Sequence, residues 1–205
     1  MNEKFYSLSE EKQQKIINAG FFVFSQNSYK KSPMQEIADS AGISKSLLFH
    51  YFQNKKELYL FLWNRAAAIT MDYLAQYGCY ESLDLFEMLK RGMYAKIRMM
   101  QLYPAMSAFA IKAFYEKDAE ISSEIQKSYQ MALKRKAHDA LARINPDDFI
   151  PGLDLDMMYR EMYLASAGYL WEISQRGGVF HAETLEKDFS RMLAFWKHIY
   201  LRKER

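Results

Sequence analysis

Between Lys45 and Phe52 the chain reads KSLLFHYF, and the types and spacing of these residues suit contact with a nucleic acid. Laid on a helix at about 100° per residue, Leu48, Tyr51 and Phe52 point one way. Lys45, Ser46, Phe49 and His50 point the other way, with Leu47 on the border. A solvated helix face is ordinarily richer in charge. One cation, one hydroxyl, one imidazole and one aromatic ring instead offer a phosphate contact, hydrogen bonds to base edges and apolar contact with thymine methyls. Just downstream, Asn54 and Glu57 are spaced as a capping pair, with Lys55 and Lys56 in the first turn of that helix. Free backbone donors beside two ammonium groups make a phosphate site. Catalysis finds no such support. His50, His138, His181 and His198 lack a second His, Cys or paired carboxylate at metal-binding spacing, and the Asp139 adjacent to His138 points elsewhere on a helix. A Gly-rich phosphate loop, a nucleophile elbow and an HExxH motif are all absent from the sequence, so no catalytic residue, metal or cofactor is expected.

The elements that must hold this face follow from the flanking residues. Ser32, Pro33 and Gln35 read as a helix start: a capping hydroxyl, a proline where no donor is missed, and a glutamine three residues on. Ile37, Ala38 and Ala41 supply the buried side, and Gly42 stands where the helix must stop in the left-handed conformation. Ser44 then caps the next helix, leaving a turn of about four residues, the spacing of a helix-turn-helix. An earlier helix beginning at Ser7 or Ser9, with its stripe of Ile16, Ile17, Gly20, Phe21 and Phe24, packs behind the pair.

The run from Met34 to Leu58, where ISKSLLFHYFQNKKEL follows QEIADSAG, resembles the TetR family of bacterial one-component regulators. That resemblance implies an N-terminal DNA-reading domain of three helices, a larger helical domain that binds a small molecule, and a homodimer. It implies that Ser32 and Lys55 touch phosphates, that Lys45, Ser46 and Leu47 face bases, and that Phe49, His50 and Tyr51 flank the backbone. Ser44 completes the expected DNA-binding set. Ser46, Leu47, Phe49 and Pro33 depart from the glycine, threonine, tyrosine and threonine frequent at these positions, so Pro33 and the ring of Phe49 offer no hydrogen bond to phosphate. The implied partner is double-stranded DNA with a palindromic operator, and the implied role is a repressor released by a small, mainly apolar ligand, with activation also open. The rival class is a helical ligand-binding or adaptor protein without DNA-binding function.

Composition agrees with this division. The chain has 205 residues, half of them hydrophobic, and a net charge of +3. Residues 1–69 hold nine Lys and Arg against six Asp and Glu, so the whole excess lies in the DNA-reading segment. Cys79 is the only cysteine, which leaves no intramolecular disulfide. No signal-peptide core and no window of 18 apolar residues occurs, so the expectation is a cytoplasmic protein with no membrane contact. The expected division is residues 1–69 for DNA binding and 70–205 for ligand binding and dimerisation, in an all-α fold of about nine helices.

Helical periodicity continues through the second part, interrupted at 76–82, at Pro104 and in the loop INPDDFIPGLD, with Gly177 and Gly178 ending the penultimate helix. The last two helices are apolar nearly all round, which fits a four-helix dimer interface using Met158, Met162, Ala165, Tyr169, Phe189, Leu193, Trp196 and Tyr200. Burial within the subunit's own domain explains the same pattern. Methionines and aromatics are abundant, so Met93, Ile97, Met100, Tyr103, Phe109, Tyr129, Tyr163 and Trp171 are candidates for a roomy pocket, or members of an ordinary core. Arg98, His138 and Glu161 are the polar groups available to orient a ligand, which is expected to be uncharged or weakly charged.

Overall fold

Amphipathic stretches separated by capping residues fold as helices throughout the computed structural model, which describes residues 3–175 and 181–202. Among the described residues the α-helices are α1 (Glu3–Tyr6), α2 (Glu10–Gln26), α3 (Met34–Ala41), α4 (Lys45–Tyr51), α5 (Lys55–Gln76), α6 (Leu85–Leu102), α7 (Pro104–Phe114), α8 (Ser122–Leu141), α9 (Leu155–Gln175) and α10 (Ala182–Tyr200). The expected stop at Gly177 and Gly178 lies outside the described residues. No helix among them is long and apolar enough to cross a membrane.

Two compact units emerge. The first comprises residues 1–69 with 103–129, the second residues 70–102 with 130–205. Residues 103–129, which the sequence reading grouped with the ligand-binding part, therefore pack within the first unit. Phe109 of α7 stacks its ring on Phe21, Phe24 and Tyr59. Lys112 Nζ donates to the Ser25 carbonyl (2.9 Å), capping the C-terminal turn of α2, and the Tyr29 amide donates to Glu116 Oε2 (2.8 Å). At Gly20 the helices α2 and α5 touch so closely that an added Cβ would lie 2.6 Å from Leu62 Cδ1.

The second unit has a main core of Leu85, Phe86, Ile144, Phe149, Met158, Met162, Leu193 and Trp196, drawn from α6, α9, α10 and the loop after α8. A second cluster gathers Met93, Ile97 and Leu185, and a third Leu74, Cys79 and Ala95. Asp84 caps α6 through the Phe86 amide (2.7 Å), and Asp154 caps α9 through the Met157 amide (2.9 Å). Phe149 pairs with Leu201 in an isolated antiparallel bridge, which ties the 144–154 loop to the end of α10.

Candidate nucleic-acid interface

The reading pair is built on three local devices. Gly42, at φ 70°, ends α3: its amide bonds the Asp39 carbonyl (3.0 Å) and the Ile43 amide reaches back to Ala38 (3.0 Å). Ser44 then caps α4, its Oγ accepting from the Leu47 amide (3.2 Å). Leu48 and Phe52 are wholly buried, and Phe52 packs against Phe5 and Phe61 at ring distances of 5.1 Å each. These anchors set the rotation of α4, so Lys45, Ser46, Leu47, Phe49 and His50 all face solvent, with Leu47 and Phe49 each 37% exposed.

Around this face, Ser32, Gln35, Lys55 and Lys56 have partners other than those their spacing suggests. Ser32 is not the cap of α3; Pro33 holds that position and no side-chain cap bond forms. Ser32 is 1% exposed and its Oγ donates to the Ser28 carbonyl (2.9 Å), so the hydroxyl is committed to the loop before α3. Gln35, the third member of the expected start signal, bonds Asp39 one turn ahead (2.7 Å). Lys55 bends back under its own loop, where Nζ donates to the carbonyls of Tyr29 and Lys30 (3.1 Å each) and lies 5.4 Å from the Tyr29 ring centroid. Lys56 pairs with Glu124. The Asn54–Glu57 capping pair does form, with the Glu57 amide on Asn54 Oδ1 (2.8 Å) and the Gln53 amide on Glu57 Oε2 (2.7 Å). Tyr51 is half-buried, its ring between Phe5 and His50. Exposed cations of this region are Lys45 on α4 itself and Lys30 and Lys31 on the loop before α3, whose carbonyl at Lys30 accepts from Lys55 at the start of α5.

Sequence reasoning missed α1. Four residues are too few to carry a period, yet Phe5 is wholly buried against the reading pair.

The residues expected at a dimer interface divide by face. Met158, Met162, Leu193 and Trp196 are buried in the second unit's main core with Ala165 and Tyr200 partly buried against it, and Tyr169 and Phe189 are partly buried against the Met93, Ile97 and Leu185 cluster. The apolar side chains that α9 and α10 turn outward are Met157 (59% exposed), Leu164 (52%), Phe195 (61%) and Ile199 (36%). An all-round apolar helix has two such faces, and periodicity alone does not say which is inner.

The pocket candidates also divide. Tyr103, Phe109 and Tyr129 belong to the first unit, where Phe109 is core and Tyr129 stacks on Phe114 (4.5 Å). Met93, Ile97, Met100, Tyr163 and Trp171 belong to the second, where Met93 and Ile97 pack on Leu185 with Met100 beside them. Of the orienting candidates, Arg98, His138 and Glu161 are exposed. A separate cleft of about 290 Å³ lies along the 146–155 loop and Arg202.

Fold and site together define a helical protein whose first unit displays a helix-turn-helix. Residues 16–61 match the family described as Bacterial regulatory proteins, tetR family. The transcriptional activator FasR of Mycolicibacterium smegmatis is 39% identical over 56 residues, a match spanning 27% of this chain and 26% of that regulator. Over nearly the whole length, the fold is shared with solved structures. A TetR family regulator from Chloroflexus aurantiacus is 23% identical, with 98% of each chain covered and a TM-score of 0.69. SmeT, the repressor of the Stenotrophomonas maltophilia efflux pump SmeDEF, is 18% identical, with 95% of this chain and 94% of its own covered and a TM-score of 0.72. The fatty acid degradation regulator FadR of Bacillus halodurans is 15% identical, with 91% and 95% covered and a TM-score of 0.70. Residues 16–61 thus match the N-terminal domain of the tetR family, the chain spans about a quarter of the curated relative's length, and over its whole length it shares the fold of these structures.

Proposed function

We propose that this protein is a sequence-specific transcriptional regulator that binds a palindromic operator as a homodimer and is released by a small, mainly apolar effector. The observation that carries the reading is the face of α4: four polar or aromatic side chains and a leucine held outward by two fully buried anchors, with Lys30 and Lys31 exposed on the loop before α3. Lys45, Ser46 and Leu47 sit where bases are read, and Phe49, His50 and Tyr51 where the backbone is gripped. Ser32 and Lys55 act from behind, shaping the loop that presents Lys30 and Lys31. Met157, Leu164, Phe195 and Ile199 form the apolar face through which α9 and α10 of two copies make a four-helix contact. The dimer sets two copies of α4 in successive major grooves about 34–36 Å apart.

An effector acts by favouring one spacing of the two reading helices, and a coupling of about 1–3 kcal/mol changes operator affinity roughly 5- to 150-fold. Similar proteins of both signs exist, FasR being an activator and SmeT a repressor; we propose repression relieved by ligand for this protein. A mobility-shift assay on the DNA flanking the gene tests it: a discrete complex with two subunits per site is expected. Binding no tighter than to scrambled duplex would refute the regulator reading in favour of an adaptor.

A further inference from the structure

Two lysines of the second unit are half-buried on the covered sides of their helices and have no hydrogen-bond or ion-pair partner among the described residues. Along α6 the solvent-facing residues are Lys90, Arg98, Gln101 and Leu102, whereas Lys96 is half-buried. Met93 and Met100 lie within roughly 40–60° of it around the helix. Along the C-terminal half of α8, Ala140 is buried and Ala132, Leu133, Lys136, Ala137 and Leu141 are half-buried, so Lys136 is the one charge in that stripe. The turn at Cys79 and Tyr80 adjoins α6 and the residues that follow α8. On α6 it meets Gly92, one turn before Lys96, where an added Cβ would lie 4.0 Å from Cys79 Sγ. Just past the C-terminal end of α8 it meets Arg143, which lies seven residues beyond Lys136 and donates from Nη1 to the Tyr80 carbonyl (2.5 Å).

The nearby Arg91 is satisfied, donating to Glu87 Oε1 and to the Gly78 carbonyl (3.0 Å each). Lys96 and Lys136 make no hydrogen bond or ion pair among the described residues. Burial, then the charge of Lys96, pushes Lys136 down to about 8, and burial lowers Lys96 as well. Two ammonium groups withdrawn from water and repelling each other cost more than apolar residues of the same size, so this pair is a structural liability unless something negative joins it.

We infer that Lys96 and Lys136 together bind the anionic head of the effector, a carboxylate or phosphate monoester, whose apolar body lies beside Met93 and Met100. This deepens the effector reading above and rests on it, and it replaces the expectation of an uncharged ligand. Such a site has the usual division of a small-molecule pocket, largely apolar walls with a few placed polar groups.

The test uses the full chain and four ten-carbon probes: decanoate, decyl phosphate, decanol and decyltrimethylammonium. Calorimetry on the wild type should find at least one of the two anions binding tenfold or more tighter than decanol, with the cation weakest. Which anion leads tells a carboxylate source from a phosphate one. Lys96→Met and Lys136→Met should each remove that preference and leave decanol binding equal or tighter, while melting at or above the wild-type temperature without ligand. Equal affinity for decanol and both anions, an anion preference that survives both substitutions, or no binding of any probe would overturn the inference. A parallel operator-binding assay separates the two readings. Intact DNA binding without anion preference sinks only the lysine site, and anion preference without DNA binding sinks only the regulator.

Discussion

The two units use their lysines in opposite ways. In the first, cations that look like free phosphate contacts in the sequence are employed by the protein itself: Lys55 holds the carbonyls of Tyr29 and Lys30, Lys56 pairs with Glu124, and Lys112 caps α2. In the second, Lys96 and Lys136 are half-buried with no such partner among the described residues. A satisfied lysine stiffens a surface that must keep its shape to read DNA. An unsatisfied pair holds a place for charge that arrives from outside. Position in the fold therefore says more about a lysine's work than its count in a segment.

The largest effect that would sharpen this contrast comes from the anchor of the reading head. Phe52→Ala removes a wholly buried ring between Phe5 and Phe61 and should cost about 3–5 kcal/mol in chemical denaturation, with DNA binding lost. A loss under about 1 kcal/mol would mean that α4 is not held by this cluster.

Next in size is Lys55→Ala. Because Nζ serves two carbonyls, the substitution should lower stability by about 1 kcal/mol, and Lys55→Met, which keeps the stem but not the bonds, should behave the same way. A variant of unchanged stability whose salt dependence flattens would return Lys55 to the role of a direct phosphate contact.

The smallest effect concerns pH. The folded Lys136 titrates near 8, below the roughly 10.4 of an unfolded lysine. Between these values the unfolded chain binds more protons, so the ligand-free protein should gain stability as pH rises through that window, the penalty being fully present below pH 8. The groups that share its field are Lys96, Arg135 and the Cys79 thiol, with the Tyr80 and Tyr159 phenols nearby, themselves pushed up by burial. Melting curves at pH 7 and 9.5 should differ by less in Lys136→Met than in the wild type. Identical pH dependence in the two would mean that Lys136 is no more costly to charge than a surface lysine.

The face of α4 was legible because seven consecutive side chains around a helix are a local pattern, and burial of Leu48 and Phe52 needs only the immediate neighbours. The turn was legible for the same reason, since a left-handed Gly42 and a capping Ser44 act within a few residues. What escaped depends on distant packing. Phe5 is recruited by rings some fifty residues away. Ser32 and Pro33 compete for one capping position, and the pull of the Ser28 carbonyl decides it. The inner and outer sides of α9 and α10 are both apolar, so the outward Met157 and Phe195 could not be told from the inward Met158 and Trp196. Lys96 and Lys136 look like any solvated lysine until the neighbouring helices are seen to cover half of each.

The central claim is that the outward face of α4 reads DNA, and fluorescence anisotropy on a labelled operator duplex across a salt series tests it most directly. With Lys45→Ala the account predicts weaker binding and a log–log salt slope smaller by about 1, while Leu47→Ala alters the ranking of operator variants at unchanged slope. Wild-type affinity, slope and ranking in both variants would contradict it.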